Sequence, residues 1–225
     1  TGTNTGRFSS KKPNLQNIGR GKLRTCFIPD EGHRLVVADY SQVELRIAAA
    51  IAGEERMIQA YEQGSDLHRQ TASIVLGKPV EDISKEDRQL AKAVNFGLLY
   101  GQSAKGLVVY AETSYGVKLD IEQARQIRRK FFDEYKHLRE WHSQAEKGAS
   151  SNCEVLSTKL GRKRWLPMEG DVRWQRFTAL LNAPVQGGAA DVIKTAIIAL
   201  QAKLPEDAGL VSTVHDELIV EAPLK

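Results

Sequence analysis

The sequence is short of cysteine, of long apolar runs and, across its first 25 residues, of any acidic side chain. Its two cysteines, Cys26 and Cys153, lie far apart and form no metal-ligand spacing. That excludes a disulfide scaffold and favours a reducing compartment. No stretch approaches eighteen consecutive apolar residues, so no transmembrane helix is expected. The start, Thr1 to Gly6, is polar and small, without an initiating Met or the apolar core of a signal peptide. There are no internal repeats and no low-complexity segment, and 7 Pro with 18 Gly are ordinary, so collagen-like and disordered classes are excluded. No His or Cys stands at ligand spacing from His215, and Ser41 lacks the flanking glycines of a nucleophile elbow. His33, His68, His137 and His142 are scattered. What remains is a chain of 225 residues, 41% hydrophobic and 27% charged. Such a chain buries a real core as one large domain or two small ones.

The charge balance of 32 basic against 28 acidic residues gives a formal +4, and placement says more than the total. Arg7, Lys11, Lys12, Arg20, Lys22 and Arg24 form an acid-free, loop-rich arm. Lys159, Arg162, Lys163 and Arg164 form another basic cluster. Both suit a polyanion. Arg125, Arg128, Arg129 and Lys130 are interleaved with Glu122, Asp133 and Glu134, which reads as a solvated helix face.

Arg34 to Ala38 is a short apolar run ending at Asp39 and reads as a buried strand. Val43, Ile47 and Ile51 then recur every four residues before Gly53, the pattern of a helix with a stop. Two further helices are expected over 54–61 and 65–76, closed by Gly64 and Gly77. Ser84-Lys85-Glu86-Asp87 resembles a capping box and opens a helix to about Gly101. Asp120 to Gln123 is a second box, opening a long helix to about Gly148. A strand is expected over 154–159, a basic turn over 161–164, a helix over 172–181 interrupted by Pro184, and its resumption over 185–204. Residues 210–214 and 218–221 are β-rich, and the intervening His215-Asp216-Glu217 fits a tight hairpin.

Two carboxylates, Asp39 and Asp216, stand at the ends of β-rich runs, where a side chain is held rigidly and partly desolvated. If those strands share a sheet, the carboxylates converge, and converging carboxylates separate, shift their pKa or share a cation. Mg²⁺ is bound by one or two carboxylates plus substrate phosphates, and two such ions can clamp a phosphoryl transfer. Helix capping by Asp39 and turn formation by Asp216 explain the same residues equally well. Arg88, Lys92, Phe96 and Tyr100 follow one another every four residues, on one helix face. Arg and Lys one turn apart grip a triphosphate, and an aromatic further on stacks on a base or sugar. In isolation, an exposed basic stripe beside a core Phe is the plainer reading. Glu44 can bind metal, pair with Arg46 or abut a sugar, and pattern alone leaves all three open.

Together these residues resemble the family A DNA polymerases, the DNA polymerase I group, along nearly the whole chain and in the family's order. Asp39-Tyr40-Ser41-Gln42-Val43-Glu44-Leu45-Arg46 resembles motif A, Arg88 to Gly101 motif B, and Val214-His215-Asp216-Glu217-Leu218 motif C. Thr5 to Ser10 with Pro13 to Ile18, and Asn182 to Gly187, resemble further family segments. The resemblance implies an α+β fold: an antiparallel palm sheet with a helical fingers subdomain, the right-hand polymerase architecture without its thumb. Its expected bounds are 1–65 palm, 66–165 fingers and 166–225 palm.

The implied activity is template-directed DNA synthesis by two-metal nucleotidyl transfer, with pyrophosphate released. The alternative is a nucleic-acid-binding module without independent activity; a two-metal nuclease has no need of the Arg88, Lys92, Phe96 and Tyr100 arrangement. The resemblance implies that Asp39, Asp216 and the Tyr40 carbonyl hold two Mg²⁺ ions, with Mn²⁺ as a substitute, and that Glu217 is an accessory carboxylate. Arg88 and Lys92 would bind the incoming phosphates, and Lys92 would protonate the leaving group. Phe96 and Tyr100 would pack the nascent pair, Glu44 would exclude ribonucleotides, and Gln42 and His68 would line the nucleotide pocket. Arg7, Asn14, Gln16, Asn17, Asn182, Gln186 and His215 match primer-template contacts, which tolerate any sequence when made to the backbone and minor groove. The implied partners are primer-template DNA and deoxynucleoside triphosphates, with no membrane, for a monomer in the cytoplasm of a bacterial or phage-infected cell, or in an organelle. Gly19 stands where the family usually has Pro, Thr178 where it often has Arg, with Arg176 out of register, and the span from Asn17 to Phe27 is short. No nuclease region, thumb or final palm segment is recognisable, so a fragment of a longer chain is expected, with the thumb and exonuclease regions in the full-length protein.

Overall fold

The computed structural model describes residues 3–18, 21–151, 155–166 and 173–224, the side chain of Asn17 excepted. The chain folds into two compact units. The first comprises Thr1–Val43, Ser157–Arg164 and Gln186–Lys225, the second Glu44–Leu156 and Trp165–Val185.

The first unit is organised by a three-stranded antiparallel sheet of β1 (His33–Asp39), β4 (Gly209–Val214) and β5 (Glu217–Pro223), in the order β1-β5-β4. The register sets Val36 opposite Val220 and Asp39 opposite Glu217. β1 forms where the apolar run predicts it, but it is not buried: Val36 and Val37 are 46% and 53% exposed. An apolar run reports β preference and not burial, and these two neighbours point to opposite faces of β1, neither fully covered among the described residues. The hairpin is one residue tighter than expected. Glu217 pairs with Val214, leaving a two-residue turn of His215 and Asp216. His215 adopts φ +54°, the positive φ that two-residue hairpins require at their first turn position. Gln16 braces the turn, its Nε2 donating to the Thr213 carbonyl at 2.5 Å while its Oε1 accepts from the His215 N–H at 2.9 Å.

A second knot in this unit joins the arm to the segment between β2 (Val155–Ser157) and β3 (Lys163–Trp165), which pair as a two-stranded sheet. The strand expected over 154–159 is thus confined to β2 and the basic turn is partly strand; Glu154 lies outside the described residues. Arg162 Nε donates to Asp191 Oδ1 at 2.8 Å, and Thr158 Oγ1 donates to Asp191 Oδ2 at 2.6 Å. Gly6 adopts φ +80°, which favours glycine, and a Cβ there would make the Arg162 guanidinium shift.

The second unit is helical. α1 (Val43–Ala52), α2 (Glu55–Glu62) and α3 (Leu67–Leu76) follow the expected periodicity, with Gly77 closing α3 in the left-handed conformation. α4 (Lys85–Leu99) and α6 (Ile121–Glu134) both begin at capping boxes with both reciprocal bonds made, by Ser84 with Asp87 and by Asp120 with Gln123. α5 (Ala104–Tyr115) was not anticipated, although Ser103 caps its start and Gly116 its end. The core gathers Leu45, Met57, Leu67, Val94, Leu98, Leu107, Phe131 and Leu138, all nearly inaccessible. Each such side chain contributes about 1.5–3 kcal/mol.

Two helix expectations are corrected. The long helix predicted after Asp120 stops at Tyr135 and restarts as α7 (Lys136–Ala149). The break has a tertiary cause. The buried Glu54 carboxylate accepts from the backbone N–H groups of His137 and Leu138 at 3.0 and 3.3 Å, capping a new helix start. Conversely, α8 runs without interruption from Arg173 to Gln201 with Pro184 inside it. Proline removes one ladder bond, yet its neighbours Ala183 and Val185 are buried, and that packing retains the helix. Val172, the expected start, lies outside the described residues, and the helix expected to reach 204 ends at Gln201.

Glu54→Ala removes the cap of α7. Chemical unfolding should show a loss of about 1–2 kcal/mol; unchanged stability would separate the α6–α7 break from Glu54.

Candidate active site

The carboxylates converge because of strand pairing. Asp39 is the last residue of β1, Asp216 the second residue of the hairpin turn, and Glu217 the first of β5. Antiparallel pairing of β1 with β5 places Asp39 directly across from Glu217. Just beyond β1, the Tyr40 N–H donates to the Asp216 carbonyl at 3.2 Å. All three carboxylates therefore line one open cleft of about 410 Å³, with Gln16, Arg24 and His215. Asp39 is exposed and not partly desolvated as expected, because it ends a strand at the solvent edge of this cleft.

Cationic groups have collected there. Arg7 Nη2 stands 3.6 Å from Asp216 Oδ1, and Arg24 Nη1 stands 3.1 Å from Glu217 Oε2. Arg24 carried no sequence signal beyond its place in the basic arm. Among the described residues no group of three or more His, Cys, Asp or Glu side chains has metal-holding geometry. The donors here are two aspartates and backbone oxygen, hard ligands of the kind Mg²⁺ shares with substrate phosphates. The chemistry of the donor set fits such an ion.

The second unit carries the other constellation. Along α4, Arg88, Lys92 and Phe96 are half-buried, and Tyr100 caps its end. Arg88 Nε donates to Asp66 Oδ2 at 2.7 Å, and Asp66 also caps α3 by accepting from the His68 and Arg69 N–H groups. Burial works to raise the Asp66 pKa, but the Arg88 hydrogen bond and charge, with the two N–H groups, hold it below its ordinary value. Lys92 makes no ion pair among the described residues. Glu44 accepts a hydrogen bond from the hydroxyl of Tyr100, the residue that caps α4, a contact not among its three expected roles. Gln42, just before α1, adopts φ +55°.

His68 is 2% exposed, and its ring lies 6.1 Å from that of Phe96. Its Nδ1 accepts from Asn95 Nδ2 at 2.9 Å, Thr71 Oγ1 donates to Asn95 Oδ1 at 3.0 Å, and Tyr135 completes the chain by donating to Thr71. This directional chain holds the ring neutral with its proton on Nε2. Burial drives the His68 pKa down to about 4; Asp66 opposes that shift, and Arg88 and Lys92 reinforce it. Asn95 and Asp66 were missed from the sequence. A polar residue on the buried face of α4, and an Asp just before α3, are the signals that could have found them.

Of the expected primer-template residues, Arg7, Gln16 and His215 lie at the carboxylate cleft, and Asn14 caps a 3-10 turn by accepting from the Gln16 N–H. Asn182 and Gln186 are one turn apart on α8, both half-buried. The Asn17 side chain lies outside the described residues. Arg176 is buried and bound to the carbonyls of Ala149 and Ser151, while Thr178 bonds back to its own helix.

The first unit carries the paired-strand carboxylates, and the second a capped helix bearing Arg88, Lys92 and Phe96, with Tyr100 at its end. The chain belongs to DNA polymerase family A, whose model matches residues 1–225. It is 46% identical over 224 residues to DNA polymerase I of Aquifex aeolicus, covering 98% of this chain and 38% of that protein. It is 39% identical to the thermostable DNA polymerase I of Thermus aquaticus, covering 99% of this chain and 27% of that one. Among solved structures, the POL domain of Pol1 from M. smegmatis, in complex with DNA primer-template and dNTP, superimposes with a TM-score of 0.81 at 34% identity, over 98% of this chain and 40% of that one. The chain thus spans well under half the length of these relatives.

Because His68 is neutral when folded and takes up a proton near pH 6.5 when unfolded, the unfolded state binds more protons below that pH. Stability should fall on acidification from pH 7 to 5, by on the order of 1–2 kcal/mol for this residue. His68→Gln should flatten that slope in pH-dependent unfolding; an identical slope would contradict the buried neutral ring.

Proposed function

We propose that this chain is the polymerising core of a template-directed DNA polymerase, adding deoxynucleoside monophosphates to a primer 3′-hydroxyl with release of pyrophosphate. The observation that carries the reading is the convergence of Asp39, Asp216 and Glu217 at one end of the β1-β5-β4 sheet, in a chain matched throughout by the family model. In this reading residues 1–65 and 166–225 form the palm and residues 66–165 the fingers.

Asp39 and Asp216, with the Tyr40 carbonyl, would hold two Mg²⁺ ions, for which Mn²⁺ would substitute. When bound, such ions lower the pKa of the attacking hydroxyl and neutralise the leaving oxygens. Arg7 and Arg24, now paired with Asp216 and Glu217, would exchange those carboxylates for phosphate oxygens, and Glu217 would act as an accessory carboxylate. On the second unit, Arg88 exchanges Asp66 for phosphate oxygens as a planar fork, and unpaired Lys92 supplies a point charge and the proton for pyrophosphate. Phe96 and Tyr100 pack the new pair. Glu44, fixed by Tyr100, occupies the space a 2′-hydroxyl would need, which selects deoxynucleotides. Gln42 and His68 border the nucleotide. Arg7, Asn14, Gln16, Asn17, Asn182, Gln186 and His215 contact primer and template without reading sequence.

The test is primer extension with one labelled deoxynucleotide and Mg²⁺. Asp216→Asn should abolish extension, by at least a thousandfold, while DNA affinity measured by anisotropy stays within a few-fold. Full activity in that variant would overturn the metal-holding role; DNA binding without extension by the unmodified chain would leave a binding module only.

A further inference from the structure

One buried acid of the first unit stands outside the carboxylate cleft. Asp191, on α8, is 7% exposed, and three donors converge on it. Thr158 Oγ1 donates to its Oδ2 at 2.6 Å, while Arg162 donates to its Oδ1 from both Nε, at 2.8 Å, and Nη2. A carboxylate taken out of water is retained where charge and hydrogen bonds compensate it, and here a guanidinium supplies both. Arg162 is itself held through Thr158. The Thr158 N–H donates to the Arg162 carbonyl at 2.9 Å, and the Arg162 N–H donates to Thr158 Oγ1 at 3.2 Å. Thr158 in turn packs over Gly187, one turn before Asp191 on α8, where an added Cβ would lie 2.8 Å from Thr158 Cγ2. These contacts fix both the position and the plane of the guanidinium.

The guanidinium faces the basic arm. The Gly6 backbone runs against it, so that a Cβ at Gly6 would meet Nη1, Cζ and Nε together. A tight turn brings Gly6 there: its N–H donates to the Thr3 carbonyl at 3.2 Å, and Thr3 Oγ1 donates to the Arg7 carbonyl at 2.8 Å. The next residue, Arg7, is the one that reaches Asp216. On its other side the Phe8 ring lies 5.2 Å from Lys194 Nζ, three residues beyond Asp191 on the same helix. One face of α8 thus holds the arm on both sides of Arg7.

We propose that Asp191 is a positioning residue for Arg7: by clamping Arg162 it sets the course of residues 3–8 and so delivers Arg7 to the carboxylate cleft. The use of Arg7 against a primer rests on the polymerase reading above; the clamp itself needs neither DNA nor metal. The sign of the effect separates positioning from charge. Removing an acid from a basic surface by itself tightens the hold on a polyanion. Loss of a positioning acid weakens it, because the arginine it places is displaced.

The experiment is a double-mutant cycle on the affinity of a labelled primer-template duplex, read by anisotropy with the full chain in EDTA so that extension plays no part. Arg7→Ala and Asp191→Ala should each weaken binding several-fold, and the two together no more than about twofold beyond Arg7→Ala alone. Asp191→Asn, equally uncharged but retaining an oxygen for Arg162, should recover most of the loss. Gly6→Ala disturbs the same contact from the arm and leaves α8 untouched, so it carries the test if Asp191→Ala fails to fold; it too should weaken binding, and not in addition to Arg7→Ala. Hydrogen exchange over residues 3–8 reads the clamp without DNA and should quicken in Asp191→Ala and in Gly6→Ala. Failure of the unmodified chain to bind the duplex would remove the polymerase reading, while quickened exchange would still uphold the clamp. Unchanged exchange in both variants overturns the proposal, as do unchanged or tighter DNA binding in both and losses that add to that of Arg7→Ala.

Discussion

Antiparallel pairing of β1 with β5 is the constraint on which the candidate site depends. Residues far apart in sequence, Asp39 and Asp216, become neighbours only because the register puts Asp39 across from Glu217 and the turn between β4 and β5 is two residues long. A slip of one residue would turn each alternate side chain to the other face and scatter the carboxylates. The register is guarded at the turn itself, where Gln16 bonds both to Thr213 and to His215, and where His215 accepts a positive φ that a non-glycine residue adopts only when its surroundings enforce it. The acid-free arm thus has a mechanical part as well as an electrostatic one. It supplies the brace, and it supplies Arg7 and Arg24 to a cleft whose carboxylates would otherwise repel one another.

The helical unit uses a different device. Its polar groups are buried in a directional chain from Tyr135 through Thr71 and Asn95 to His68, so each donor has an acceptor and the imidazole stays uncharged. That chain fixes α4 against α3 next to Phe96. Asp66 meanwhile holds Arg88 at one end of α4, and Glu44 holds Tyr100 at the other. The face of α4 bearing Arg88, Lys92, Phe96 and Tyr100 is thereby set by neighbours on three sides, with Lys92 left unpaired.

Much of this was legible in the sequence where the cause is local. Ser84 with Asp87 and Asp120 with Gln123 announced two helix starts, because a capping box depends on four adjacent residues. What could not be read depends on distant partners. Tyr135 breaks a helix because Glu54 caps the next one; Pro184 is carried through because its neighbours are buried; Val36 and Val37, on opposite faces of β1, are exposed because the described residues cover neither fully. The hairpin was anticipated but not its length, since His at a positive-φ turn position carries none of the signal that glycine would. Composition and spacing left the two aspartates divided between a site and ordinary capping, and the resemblance to a known family separated those readings. The basic row of α6 was legible as well: Arg125, Arg128, Arg129 and Lys130 are exposed on a solvated face, and the interleaved acids Glu122, Asp133 and Glu134 pair with Arg125, Arg139 and Arg56.

The central claim is that one end of the three-stranded sheet is a divalent-cation site built from Asp39 and Asp216. Mn²⁺ titration followed by electron paramagnetic resonance reads it without DNA, nucleotide or turnover. Bound Mn²⁺ is predicted in the unmodified protein and lost in both Asp39→Ala and Asp216→Ala, with folding retained. Equal Mn²⁺ binding in either variant would contradict the account.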